Sequence, residues 1–246
     1  MHRKNIQCDN KSGNESSQRE RERELLHLDV GSGSGDLVKL LKKELNTKAS
    51  CCDYTDELMQ LHGQHVDIVD LNIKKELPYQ DNTFDIVTAT EVIEHLEDFR
   101  AILREMYRVL KPGGVCVLST PNILNLNSRL RYLWFGFHEL MGPLPIHSRK
   151  IESCAGHISP ISIFYIMHAL YEMNFNQIDF AVDKFQRSGI GKAVIFWLPI
   201  KLLGSRIWRR EVNKYKTIDD SNKKIVRHLN SLPILLGRTI IVSAIK

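Results

Sequence analysis

Cysteine is scarce in this chain of 246 residues. Its five cysteines (Cys8, Cys51, Cys52, Cys116, Cys154) form no CxxC pair and no regular spacing. That odd, scattered count fits a reducing cytosol, where cysteine serves mostly as a small hydrophobe. Long apolar runs are also missing. The longest, Ala193 to Ile200, covers eight residues, includes Pro199 and is followed by Lys201. A bilayer span needs about 20 apolar residues, so no span is expected. The N-terminus is polar and charge-dense, ending in Arg19-Glu20-Arg21-Glu22-Arg23-Glu24, and lacks the apolar centre of a signal peptide. We expect a cytoplasmic protein, peripheral on a membrane at most. No internal repeat is visible. A net charge of +5, from 34 basic and 29 acidic residues, is too weak to argue for nucleic acid. With 43% hydrophobic and 26% charged residues, a wholly disordered or collagen-like chain is excluded.

What is present is unevenly placed. Gln186 to Lys246 holds 13 basic and 3 acidic residues, whereas the preceding 185 residues hold 21 and 26. The chain is an acidic body with a basic C-terminal quarter. Its length favours one domain with insertions over two domains. We expect a charged, mobile N-terminal arm over 1–24 and a single domain over 25–246. Within that domain strand and helix patterns alternate. Strands are predicted at 25–30, 48–52, 65–69, 84–90, 115–119, 178–182 and 238–245. Helices are predicted at 36–45, 55–61, 97–110 and 160–173. Such alternation implies an α/β fold, a mostly parallel sheet with helices on both faces. Two stretches break the rhythm. Residues 121–158 carry several aromatics and three arginines, Arg129 and Arg131 among them, and are read as a lid. Residues 186–237 mix apolar and aromatic residues with cations and are read as an irregular insertion.

A glycine loop, Asp29-Val30-Gly31-Ser32-Gly33-Ser34-Gly35-Asp36, joins the first strand to the first helix. Glycine there permits a tight turn and close approach of a ligand, and the helix start offers free N–H groups. The dinucleotide spacing GxGxxG fails at Asp36 and at Val38, and the Gly-Lys-Ser/Thr ending of a nucleotide-triphosphate loop is missing. NAD and ATP are therefore disfavoured. Further motifs follow in order: Asp53 after strand two, Val69-Asp70-Leu71 after strand three, Leu77-Pro78 through Phe84-Asp85, Glu91-Val92-Ile93-Glu94-His95-Leu96, and Arg108-Val109-Leu110-Lys111-Pro112-Gly113-Gly114.

With these motifs the chain resembles the class I S-adenosylmethionine-dependent methyltransferases, densely over 25–122 and more loosely to Phe180. The resemblance implies a Rossmann-like seven-stranded sheet whose last strand is antiparallel. It implies that the cofactor lies against Asp29, Gly31, Ser32, Gly33 and Gly35. Asp53 would accept from the ribose hydroxyls, Asp70 from the adenine amino group, with Leu71 and Glu91 alongside. Glu91, Glu94 and His95, at i, i+3 and i+4, are expected on one side of a helical turn. Together with His157 they would suit Mg²⁺ or Mn²⁺, as in metal-dependent branches that methylate catechols or terminal RNA diols. Alternatively His157 or His95 acts as a metal-free general base; His147 is a weaker candidate. The expected reaction is O-methylation of a small or lipid-linked acceptor; residues 186–237 either meet an anionic membrane surface or pack on the core as a helix with a solvated basic face. Two alternatives stay open: RNA 2′-O-methylation, and a non-catalytic methyltransferase-like adaptor at a membrane.

Overall fold

The structure is a computed structural model and describes residues 23–144 and 156–246. Seven strands form one sheet: β1 (Leu25–Val30), β2 (Thr47–Asp53), β3 (Val66–Ile68), β4 (Phe84–Thr90), β5 (Leu110–Pro121), β6 (Asn176–Val182) and β7 (Thr239–Ile245). Their order is β3-β2-β1-β4-β5-β7-β6. The first five strands run parallel, and β7 lies antiparallel between β5 and β6. The chain thus starts in the middle of the sheet, builds outward to β3, then returns to β4. That reversal between β1 and β4 opens a crevice at the carboxyl ends of the parallel strands, where ligands of such sheets bind.

Helix α1 (Asp36–Leu45) covers β2 through Val38, over a small cluster with Cys51 and Val66. On the other face the larger core collects β-strand residues Leu28, Val87, Leu118 and Val242. Against them pack α2 (Phe99–Val109) and α4 (Ile163–Glu172), through Ile102, Leu103, Met106, Ile166 and Leu170. Cys51, Cys52 and Cys116 are buried, unpaired packing residues. Helix α2 starts on Asp98, whose carboxylate accepts from the Ala101 N–H at 3.0 Å.

Three sequence expectations change. No helix forms over 55–61: the chain turns there, and Met59 and Leu61 fold back beside Gly35 and the Val38 cluster. The Gln60 N–H bonds the Ser34 carbonyl at 3.1 Å, so tertiary contact with the glycine loop replaces helix propagation. Within 121–158 stands α3 (Leu126–Phe135), capped by the Asn125 side chain on the Ser128 N–H. The largest departure is α5 (Arg187–Arg210), 24 residues of continuous helix, Pro199 included, within the stretch read as an irregular insertion. Its Gly189 and Ala193 are buried, and Phe196 and Ile200 pack with Leu126 and Leu235. Tertiary packing thus outweighs the cost of the interior proline. Short helices α6 (Lys223–His228) and α7 (Leu232–Leu236) lead to β7.

Candidate active site

Glycine is required in the loop after β1 for two different reasons. Gly31 (φ +72°) faces Val92, and a Cβ there would lie 2.3 Å from the Val92 Cγ2. Gly33 (φ +47°) faces open space, with nothing within 4 Å of where a Cβ would stand. The first glycine lets the loop touch the segment after β4; the second leaves a bare backbone cradle. The Gly33 N–H donates to Asp53 Oδ2 at 2.9 Å, and the Tyr54 N–H to Asp53 Oδ1 at 2.7 Å. Asp53 is buried, Asp70 exposed. The Asp70 carboxylate accepts from the Asn72 N–H at 2.9 Å, and Leu71 packs against the core. Turns, not helices, follow both carboxylates, so neither is a helix cap.

Beneath the loop lies a buried polar chain. Thr88 Oγ1 lies 2.6 Å from Asp29 Oδ1 and 2.7 Å from His27 Nε2. With Asp29 ionised, Thr88 donates to it and accepts from the His27 Nε2–H. Burial pushes the Asp29 carboxyl up to about 7 against the hydrogen bond from Thr88, and Asp53 adds to the rise. Burial also pulls His27 down to about 4, so its ring stays neutral. Ser32, likewise buried, leaves its hydroxyl without a protein partner in the loop.

The segment after β4 is shaped by Glu91, a non-glycine residue at φ +55°. It precedes a 3₁₀ turn, Ile93–His95, rather than an α-helical one. This separates Glu91 from the residues expected beside it. Its Oε1 accepts from Ser119 Oγ at 3.0 Å, toward β5. Glu94 turns inward and is fully buried; Oε2 accepts from Thr120 Oγ1 at 3.0 Å, and Oε1 has no partner. Burial lifts the Glu94 carboxyl to about 7, with Glu91 adding to the rise.

His157 reaches this turn from far along the chain. The Ile158 and Ser159 N–H groups both donate to the Glu94 carbonyl at 2.9 Å, and Ser159 Oγ donates to the Leu96 carbonyl at 2.6 Å. These bonds bring the His95 and His157 rings edge to face, centroids 4.7 Å apart. One ligand atom each from Glu94, His95 and His157 lies within 4.8 Å of the others. Glu91 is not in that group. His157 Nδ1 lies 2.9 Å from the Leu140 carbonyl, which can only accept, so Nδ1 carries the hydrogen and Nε2 keeps a free lone pair. Burial, then the neighbouring His157, holds His95 below the ordinary histidine range.

The sequence did not reveal the residues that hold this turn. Asn72 Nδ2 donates to the His95 carbonyl at 3.0 Å and its Oδ1 accepts from the Glu97 N–H at 2.9 Å. Thr120 and Leu140 are equally silent in sequence, because each contact joins distant segments. His147 lies outside the described residues. A cavity of about 670 Å³ follows one sheet face from Glu91, Ser119 and Arg238 at its upper rim to Leu41, Ile86 and Val115.

Part of the sequence, and the fold, have known counterparts. Residues 28–118 match the family described as "Methyltransferase domain". The "Ubiquinone/menaquinone biosynthesis C-methyltransferase UbiE" of Desulfotalea psychrophila is 33% identical over 109 residues, 40% of this chain and 43% of that protein. The chain thus matches less than half the length of this relative. A methyltransferase described as SAM dependent, from Archaeoglobus fulgidus, superposes with a TM-score of 0.55 at 15% identity, covering 96% of this chain and 92% of that one. Phosphoethanolamine N-methyltransferase 2 of Haemonchus contortus, solved with S-adenosyl-L-methionine, gives 0.51 at 14% identity, covering 96% and 52%. Residues 28–118 thus resemble a methyltransferase domain, and nearly the whole chain shares the fold of these S-adenosylmethionine-dependent enzymes. The residues fit that cofactor: Gly33 leaves an uncovered backbone, Ser32 offers a free buried hydroxyl, and Asp53 presents a buried carboxylate beside them.

Proposed function

We propose that this protein transfers a methyl group from S-adenosylmethionine to a hydroxylated small or lipid-linked acceptor. The observation that carries this reading is the free Nε2 of His157, held beside His95 and buried Glu94 in the turn after β4, whose Val92 meets Gly31 of the glycine loop. The cofactor would rest on Gly31, Ser32, Gly33 and Gly35, with its ribose toward Asp53 and its adenine toward Asp70 and Leu71. When bound, it supplies an electrophilic methyl group on a sulfonium. The chain's own part is to place the acceptor and to take its hydroxyl proton on His157 Nε2. The Leu140 carbonyl, on Nδ1–H, stabilises the imidazolium that results.

O-methylation was the expectation from sequence, whereas the named relative is a C-methyltransferase of quinone biosynthesis. One base serves both outcomes. A phenol that loses its proton becomes nucleophilic at oxygen and at ring carbon, and the atom facing the methyl group decides the product. A hydroxylated aromatic ring on a lipid tail therefore fits the relative's name as well as the site. Incubation with S-adenosylmethionine and a panel of quinols and catechols tests this, read by mass spectrometry of the acceptor. Wild-type protein should add one methyl group to a phenolic acceptor. His157→Ala should lose at least about 100-fold in rate with unchanged S-adenosylhomocysteine affinity. Methylation of RNA alone would favour the RNA reading, and cofactor binding without any transfer the adaptor.

The unpartnered Oε1 of Glu94 favours a second reading, in which Glu94, His95 and His157 hold Mg²⁺ or Mn²⁺. Such an ion would draw vicinal hydroxyls to the site and lower their pKa. It predicts activity lost to chelator and restored by either ion. Full activity in chelator would end it.

A further inference from the structure

Helix α5 divides its residues by face. Gly189, Ala193, Phe196 and Ile200 turn toward the protein. A rotation of about 100° per residue puts Val194, Ile195, Leu198 and Leu202 on the opposite side, with Ile190 at its margin. All five are half or more exposed, Val194 at 80% and Ile195 at 67%. The same outer side continues into Arg206 and Arg209, with Lys201 and Arg210 flanking. No acidic residue occurs between Arg187 and Arg210. Among the described residues, none of Lys201, Arg206, Arg209 and Arg210 forms an ion pair with a carboxylate. Lys201 lies 6.0 Å from the centre of the Trp197 ring, and Arg210 5.1 Å from that of Tyr215. No helix of the described residues is long and apolar enough to cross a membrane.

We propose that the outer face of α5 docks on an anionic lipid bilayer surface, with Ile190 to Leu202 in the acyl boundary and Lys201, Arg206 and Arg209 at the headgroups. A row of exposed aliphatic side chains loses free energy in water and regains it in the interface. Unpaired guanidinium groups at one end of the row complement a negative surface and leave the helix lying flat. The inward face, held by Leu126 and Leu235, keeps the helix attached to the protein while its outer face is in lipid. This rests on and deepens the lipid-linked reading of the acceptor: α5 would bring the site to a lipid-tailed substrate at the bilayer surface.

Co-sedimentation of the full chain with vesicles of phosphatidylcholine, with and without phosphatidylglycerol, tests the proposal without reference to methyl transfer. Wild-type protein should bind the phosphatidylglycerol vesicles and leave the neutral ones. The double variant R206E/R209E should bind them about thirty-fold more weakly. L198E/L202E should also lose binding, with thermal unfolding and S-adenosylhomocysteine affinity like those of the wild type in both variants. Failure of folded wild-type protein to bind, or equal binding by the folded variants, would overturn the assignment. So would a wild-type dimer that L198E/L202E converts to monomer, since a second copy would then cover the face. The lipid result and the methylation result are independent, so either can fail alone.

Discussion

The body over 25–122 and the segment over 186–237 treat charge in opposite ways. In the body charges are spent internally. Asp85 accepts from Lys111 at 2.8 Å, from the Leu26 N–H at 2.9 Å and from Arg23 at 3.0 Å. Burial resists its ionisation, yet these partners hold its carboxyl below the usual range. Glu105, Arg108 and Asp81 form a second network that also binds the carbonyls of Leu77 and Tyr79. In α5 Lys192 bonds Asn127 Oδ1 at 2.5 Å, but Arg206 and Arg209 face outward, following the uncovered aliphatic residues. Charge that closes on itself fixes a fold; charge left open is free for a partner.

That contrast can be broken at several points. The largest effect is expected at Gly31→Ala, where a Cβ would meet Val92 and φ is +72°. Calorimetry should find S-adenosylhomocysteine binding abolished, with stability lower by about 1–3 kcal/mol. Retained affinity would mean that the loop does not need its close approach to the post-β4 segment.

Next comes the seam that ties the 186–237 segment to Asn122 at the end of the body and to α3 just beyond it. Arg129 of α3 is largely buried and gives its whole fork to the chain, to the Leu124 carbonyl at 2.6 Å, Asn230 Oδ1 at 2.7 Å and the Leu229 carbonyl at 2.6 Å. Asn122, also buried, bonds the carbonyls of Ile234 and Gly237. Arg129→Met leaves those acceptors unpaired and should lower the urea midpoint by the equivalent of roughly 2–4 kcal/mol. A neutral result would detach the segment from the body in energetic terms.

The smallest effect is a pH slope. Asp29 sits near 7 folded against 3.8 for the free side chain, so the native state holds its proton longer than the unfolded chain. Its contribution to stability is full below about 3.8, falls through the interval and is gone as pH rises past about 7. Each pH unit between the two values is worth about 1.4 kcal/mol. Urea midpoints of Asp29→Asn should therefore fall less than those of wild type between pH 4 and about 7. Parallel curves would show that Asp29 ionises freely in the folded protein.

Legibility in the sequence follows the same division. Helix α1 and strand β4 match the pattern residue for residue, because amphipathic period and turn residues act over a few positions. The glycine loop, Asp53 and the Glu94-His95 turn were also readable as motifs. Helix 55–61 was misread because a back-bond to Ser34 and packing under Gly35 decide that segment. Glu91 was placed with the metal group because a helical turn was assumed; its positive φ and the 3₁₀ turn direct it to Ser119 instead. The sequence of 186–237 is compatible with a helix packed on the core, and burial of Gly189 and Ala193 is what carries α5 through Pro199 and Gly204.

The sequence by itself determined the strand–helix alternation, the glycine cradle, the strand-end carboxylates and the division into an acidic body and a basic quarter. These are local patterns, carried by backbone freedom, period and composition. Three features came from the fold alone: His157 stands against His95, Arg129 is consumed in a seam, and Arg206 and Arg209 of α5 remain without a carboxylate partner among the described residues. Each depends on which distant groups meet, and the hydrogen bonds from Ile158 and Ser159 to the Glu94 carbonyl exist only once the sheet has brought those segments together.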